Sequence, residues 1–315
     1  MTEPMQGGGK PSVSVLMPAR NAQRFVAETI RSLQAQTMGQ WELVVVDDGS
    51  TDDTPRILAD FAQSDPRIRI VRQEGAGLVA ALQRGLQECR CEHVARIDAD
   101  DLARPERLAL QVRHMESDPA CVAVGGAIQH VDEDGDPVML ESFPLRHEAI
   151  DDNLVHGRAA MAHPAVMFRR SVVQSIGGYR PMKIAEDLDL WLRLAEVGRL
   201  ANLEEVVLDY RRHGTSLVQA TMDVRNECVN AVLADARQRR GMPPIPPSRR
   251  KKRRQSAGMT LHGKLARMAA RSGHPRVAWK HLAKQWRHSP FHPTTLRVAL
   301  ETTLAILFSR RKHRK

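Results

Sequence analysis

What narrows the possible folds of this sequence most sharply is an alternation near its start. Val13 to Met17 is a short apolar run closed by Pro18, and Ala27 to Gln36 follows with Ile30 and Leu33 at helical spacing. Leu43 to Val46 repeats the pattern, stops at Asp47-Asp48-Gly49-Ser50, and leads into Thr54 to Phe61 with a 3.6-residue period. Ile68 to Val71 with Leu78 to Gln87 makes a third pair, and His93 to Ile97 a fourth run that enters Asp98-Ala99-Asp100-Asp101. Continuous apolar strands separated by helices imply an α/β fold: a mostly parallel, Rossmann-like sheet with helices on both faces. Ligands of such sheets sit beyond the carboxyl ends of the strands, where these acidic turns fall.

Two of the turns have chemistry of their own. A strand that ends in Asp98 and Asp100, one residue apart, offers oxygen ligands for Mg²⁺ or Mn²⁺, and such an ion usually bridges protein to nucleotide phosphates. Alone, the same residues also read as a solvated turn. Asp47 and Asp48, at the second strand-to-helix turn, are placed to accept hydrogen bonds from a ribose or base, though Asp, Gly, Ser and Thr also suit any tight turn before a helix. A nicotinamide-dependent oxidoreductase is disfavoured, because Gly7-Gly8-Gly9 precedes the first strand and no G-x-G-x-x-G opens the first helix.

The 315 residues suffice for one substantial domain and an appendage. After Pro105 the pattern continues with a helix (Leu108 to Met115), a strand (Val122 to Gly125), a turn at Asp132 to Asp136, a strand at Ala165 to Arg169, an amphipathic helix within Ile184 to Val197, and a strand at Val206 to Tyr210. The expected division is a flexible N-terminus over residues 1–11, an α/β domain over 12–220, and a basic, largely helical C-terminal extension over 221–315 with a Pro-rich linker near 242–248. Leu261 to Ala283 and Thr294 to Phe308 read as helices, the second with Leu296, Leu300, Leu304 and Phe308 on one stripe. The net charge of +10 is uneven: from about Arg237 onward acids nearly vanish, and Arg249 to Arg254 is an unbroken basic run. Four cysteines without metal-ligand spacing read as reduced thiols, and neither an apolar leader nor an 18-residue apolar span is found.

Taken together, Ser14 to Arg20, Asp47 to Thr54 and Arg96 to Leu108 (RIDADDLARPERL) resemble the family 2 inverting glycosyltransferases, which have the type A nucleotide-sugar-binding fold and include enzymes of cell-envelope polysaccharide synthesis. The likeness runs from about Ser12 to Ser216. It implies that Pro18, Ala19 and Arg20 border the nucleotide, that Asp47 shapes the loop and Asp48 hydrogen-bonds the base, that Asp98 faces the ribose and diphosphate, and that Asp100, with Asp98, binds Mn²⁺ or Mg²⁺. Ile184 to Leu192 (IAEDLDLWL) resembles the family's Glu-Asp motif, with Asp187 the expected catalytic base and Glu186 the second candidate. His163-Pro164 resembles a feature near the acceptor site. Tyr210-Arg211-Arg212-His213 resembles a closing segment from which His213 or Arg211 reaches the diphosphate. Where many members carry Asn-x-Gly, this chain has Arg72-Gln73-Glu74-Gly75-Ala76-Gly77, and the Gln-x-x-Arg-Trp motif of processive synthases is not found before Ser216.

The expected activity is therefore inverting transfer of a single sugar from a nucleotide diphosphate sugar, a UDP-sugar before others, to a lipid-linked or polysaccharide acceptor. The alternative is a nucleotide-sugar-binding protein that has lost catalysis. The basic tail, with aromatics at only 4 % of the chain, fits an anionic membrane surface rather than nucleic acid, with a solvated tail as the alternative, and the expected location is cytoplasmic, peripheral on the inner face of the membrane.

Overall fold

The computed structural model describes residues 11–214, 222–244, 260–288, 290 and 293–312. The N-terminus up to residue 10, Ser216, the Pro246-Pro247 pair, the Arg249 to Arg254 run and the side chain of Phe308 lie outside what is described. The described parts of Met1–Ile128, Ser142–Asp209 and Ala220–Pro244 form one compact unit, and those of Gln129–Glu141, Tyr210–Gln219 and Ile245–Lys315 a second.

The chain opens with β1 (Val13–Ala19), α1 (Val26–Gln34), β2 (Trp41–Asp48), α2 (Thr54–Ser64), β3 (Ile68–Gln73), α3 (Leu78–Glu88) and β4 (His93–Arg96). Then come β5 (Leu102–Ala103), α4 (Arg107–Ser117), β6 (Cys121–Val131), β7 (Pro137–Glu141) and α5 (His147–Val155). After these follow β8 (Met167–Arg169), α6 (Arg170–Ser175), α7 (Glu186–Leu194), β9 (Arg199–Arg211) and α8 (Met222–Arg239). Three helices close the described chain: α9 (Leu261–Arg271), α10 (Pro275–His288) and α11 (Pro293–Lys312). Among the described residues no helix is long and apolar enough to cross a membrane.

The fold is α/β, as expected. The sheet runs in the order β3-β2-β1-β4-β8-β6-β9-β5. β1 pairs in parallel with both β2 and β4, and β2 with β3, so β1, β2 and β4 end on one rim. From β4 outward, pairing with β8 and of β8 with β6 is antiparallel. Every residue of β1 and β2 is buried, which is what their unbroken apolar runs require. α3 packs closely on this layer: a Cβ at Gly85 would meet Leu16 Cδ1 at 2.0 Å, so only glycine fits between helix and strand. The core then continues through Ile150, Leu154, Phe168, Leu190, Trp191 and Leu200 to Val232, Leu233 and Ala236. Those last three residues draw α8 into the first unit, although the sequence reading assigned it to the C-terminal extension.

Within the second unit, Val138 of β7 joins Leu265, Ala269, Ala270, Val277 and Ala278 in an apolar cluster. The expected single helix over Leu261 to Ala283 is two helices. Gly273, at φ +81°, ends the first, and Pro275, which has no N–H to donate, begins the second. The acidic turn between β6 and β7 fastens this unit. Asp132 is fully buried, and its Oδ1 accepts from the amides of Asp134 (3.0 Å) and Asp136 (2.9 Å). Its Oδ2 accepts from Lys280 Nζ (2.7 Å) and His281 Nε2 (2.9 Å).

Burial opposes a charge on Asp132, but the hydrogen bonds from His281 and Lys280 outweigh it and hold this carboxyl far below the ordinary range near 3.8. A depressed carboxyl stabilises the folded state above its unfolded pKa, and that stabilisation fades as pH falls below it. Asp132→Ala is expected to remove about 2–4 kcal/mol from this unit at neutral pH, read as faster hydrogen exchange in α9 and α10, with the difference from wild type shrinking below about pH 4.

Candidate active site

The rim made by the ends of β1 and β2 is laced by side-chain bonds. The Asn21 amide donates to Ser50 Oγ (3.0 Å), the Ala22 amide to Thr54 Oγ1 (2.8 Å), and the Thr51 amide to Asn21 Oδ1 (2.9 Å). The abundance of Ser, Thr and Asp after β2 thus serves to fix the loop that begins at Arg20, just past Pro18 and Ala19 at the end of β1. Asp47, buried, accepts from the Ser50 amide at 3.1 Å and turns the chain. Gly49, at φ +70°, lets this loop touch the next: a Cβ there would lie 2.8 Å from the backbone nitrogen of Gly75.

Asp48 is buried and already engaged. Its Oδ1 accepts from Gln73 Nε2 (2.6 Å) and the Ala76 amide (2.7 Å), its Oδ2 from the Gly77 amide (2.9 Å), and Arg20 Nη1 lies 3.6 Å from Oδ2. In this state it holds the loop between β3 and α3. Oδ2 takes a single amide, so a carboxylate with about four acceptor positions keeps one there for a further donor. Gln73 also lines a recess with Asp47, Gly49, Ser50, Pro55, Arg72 and Glu74.

The second rim cluster follows β4. One carboxylate oxygen from each of Asp98, Asp100 and Asp101 lies within 4.8 Å of the others. An all-oxygen donor set of this kind suits a hard divalent cation such as Mg²⁺ or Mn²⁺. Asp98 is 30 % exposed, yet both its oxygens are taken by the buried Arg96 guanidinium, at 2.7 and 2.5 Å. Arg107, fully buried, donates from Nη2 to the Arg96 carbonyl (2.6 Å) and from Nε to Gln111 Oε1 (3.2 Å). Burial pulls the Arg107 pKa down to about 9, against the opposing pull of Asp101. A buried cationic pair therefore backs the acidic turn.

The third group comes from the start of α7. Ala185 sits at its N-cap with φ +72°, a left-handed conformation that a residue with a Cβ rarely adopts, and the next residue is Glu186. Asp187 Oδ1 accepts from the Leu188 amide at 2.8 Å. The helix is anchored from behind: Arg193 donates to Asp189 Oδ2 (2.6 Å) and to the carbonyls of Ile176 (3.0 Å) and Gly178 (2.8 Å). Glu186 lies 3.8 Å from His163 Nδ1, and the other ring nitrogen of His163 bonds the Tyr179 hydroxyl at 2.9 Å. Trp191 meets the same imidazole edge-on at 5.7 Å.

The electrostatics tie the second and third groups together. Burial raises the Glu186 carboxyl, and Asp187 raises it further, while Arg96 opposes both. Burial keeps His163 well below its usual value, with Arg96 adding to the effect, so the ring is neutral at pH 7. Burial also raises the Tyr179 hydroxyl, on which Arg96, Glu186, Asp187 and Asp98 all act. Arg96 and Tyr179 are the members that sequence reasoning did not single out. Arg96 ends an apolar strand and gives no sign of burial, and Tyr179 lies in a Gly-Gly-Tyr turn without periodicity.

The Tyr210 to His213 segment belongs to the second unit. There His213 is buried, Arg211 donates to the Glu133 carbonyl (3.0 Å), and Arg212 Nε donates to His130 Nδ1 (3.0 Å).

A parallel half-sheet with carboxylate turns after its second and fourth strands, extended by antiparallel strands, defines the α/β class to which the chain belongs. The fold is that of S. aureus TarS 1-349 in complex with UDP-GlcNAc, at TM-score 0.57 and 17 % identity over 96 % of this chain and 91 % of that one. It is also that of the mannosyltransferase PcManGT from Pyrobaculum calidifontis in complex with GDP-Man and Mn²⁺, at TM-score 0.53 and 21 % identity over 95 % and 81 %. Residues 14–177 match Glycosyl transferase family 2, and the chain belongs to that family. Similar sequences include the amylovoran biosynthesis glycosyltransferase AmsE of Erwinia amylovora, 34 % identical over 63 % of this chain and 75 % of that one. The O-antigen biosynthesis glycosyltransferase WbnJ of Escherichia coli is 29 % identical over 71 % and 88 %.

Proposed function

We propose that this glycosyltransferase moves a single sugar, with inversion, from a nucleotide diphosphate sugar to a hydroxyl of a lipid-linked or polysaccharide acceptor in cell-envelope glycan synthesis. The observation that carries the reading is the shared environment of two sets of carboxylates: Asp98, backed by Arg96, and the Glu186-Asp187 pair, which the same guanidinium influences. The names of AmsE and WbnJ support the envelope assignment, and the nucleotide sugars bound to TarS and PcManGT support the donor class.

On the donor side, Pro18, Ala19 and Arg20 border the nucleotide, and Asp47 and Asp48 shape and face the base pocket. Asp100 and Asp98 hold Mn²⁺ or Mg²⁺, which when bound offsets the negative charge of the departing diphosphate. On the acceptor side, Asp187 takes the proton of the attacking hydroxyl, while Glu186 and neutral His163 fix the geometry around it. Withdrawal of that proton on the face opposite the leaving group is what an inverting displacement needs.

The test is binding and slow hydrolysis of a panel of UDP-, GDP- and dTDP-sugars with and without Mn²⁺, in wild type and Asp100→Ala. Metal-dependent binding of one donor, weakened at least tenfold in the variant, is the expected result. Metal-independent binding would remove the cation from the scheme, and no binding of any donor would leave the chain without the proposed activity.

A further inference from the structure

The charge of this chain is sorted along its length in a way the transfer reaction does not use. From Ile245 on, the sequence has 19 Lys and Arg against one acid, Glu301, whereas the first 244 residues hold 28 Lys and Arg against 36 acids. The described helices of that basic stretch also carry large apolar side chains that are exposed among the described residues. On α11, Thr295, Val298 and Thr302 are buried, and Leu296, Leu300 and Leu304 recur every four residues on the side turned away from them. On α10, Val277, Ala278, His281, Leu282 and Gln285 face inward, while Trp279 and Trp286 stand two turns apart outside that face. These five residues are 41 to 62 % exposed. Lys264, Arg276, Arg287 and Arg297 are exposed on the same three helices.

We propose that the second unit binds the surface of a bilayer containing anionic lipid, inserting Leu296, Leu300, Leu304 and the two indoles while its Lys and Arg side chains meet the headgroups. Charge complementarity selects this occupant: an apolar stripe flanked by cations, on helices whose one acid is Glu301, suits an anionic interface. Tryptophan is the side chain most at home there, apolar over most of its surface with one polar N–H. A second copy meeting this face with its own would set one cationic helix surface against another. Nucleic acid would use the charge but leave the leucines without a partner. The inference stands apart from the transfer reading, since none of these residues belongs to the donor or acceptor groups.

The experiment is flotation of the full-length protein with vesicles of phosphatidylcholine alone or with 30 % phosphatidylglycerol by design, alongside emission spectra. Leu296→Asp with Leu300→Asp, both at exposed positions, is compared with wild type, as is Trp279→Ser with Trp286→Ser. Expected are binding to the anionic vesicles only, a blue shift of tryptophan emission that the Trp variant lacks, and at least a tenfold loss of partitioning in the Leu variant. Donor binding and circular dichroism should be unchanged in both variants, which separates this outcome from any failure of the active-site reading. Equal flotation of wild type and the Leu variant, self-association in place of vesicle binding, or binding to polynucleotide but not to vesicles would each overturn the proposal.

Discussion

Asp187→Asn is expected to lower kcat by about 10²–10⁴-fold with the donor affinity within a factor of two of wild type. The amide keeps the size of the carboxylate and its contact with the Leu188 amide but cannot accept the acceptor's proton. Steady-state rates at saturating donor, paired with calorimetric donor binding, check it; a rate within fivefold of wild type would mean the base lies elsewhere. Glu186→Gln makes an informative companion. Burial and Asp187 disfavour the ionised form of Glu186, so its folded pKa lies above the unfolded one. The folded state therefore loses stability as pH rises through that interval, and removing the charge should raise Tm at neutral pH even as turnover falls.

Asp189→Ala is expected to cost about 3–5 kcal/mol of stability in the first unit. Asp189 and Arg193 are both buried, and the substitution would strand a guanidinium whose remaining partners are the Ile176 and Gly178 carbonyls. Arg180, 3.4 Å from Asp189 and half-buried, keeps its ion pair with Asp235 at 2.9 Å and does not share the penalty. Because α7 begins with Glu186 and Asp187, turnover should fall before global unfolding is reached. A urea series that reads both ellipticity and donor hydrolysis would reveal it: coincident transitions with an unchanged midpoint would show that the pair contributes little.

The parallel half of the sheet was legible because VSVLM and LVVV are covered on both faces, and full burial leaves no polar alternation to obscure the strand. α5 was not, since only Ile150, Leu154 and Val155 are buried in a nine-residue helix that also holds His147, Glu148, Asp151 and Asp152. The single helix read over Leu261 to Ala283 failed for a different reason: apolar spacing continues across Gly273, whose positive φ is a backbone property that periodicity does not register. In the site, carboxylates and His163 stood out as motifs, whereas Arg96 did not. Its importance comes from facing Asp98 across a turn and from burial supplied by neighbouring strands, neither of which is a matter of spacing. The engagement of Asp48 with Gln73, Ala76 and Gly77 was equally hidden, because it joins loops 25 to 29 residues apart.

The fastening of Asp132 has a bearing on how the protein is made. The residue leaves the ribosome long before its partner does, since Lys280 follows it by 148 residues. At about 5–20 residues per second, the carboxylate waits roughly 7–30 s for the ammonium and imidazole that neutralise it. During that interval the β6–β7 turn is a hydrated acidic loop and Val138 has no apolar neighbour from α9 or α10. Nascent chains should therefore show early protease resistance in the first unit and late resistance in the second, with chaperone binding concentrated on the turn's apolar flank until α10 has emerged.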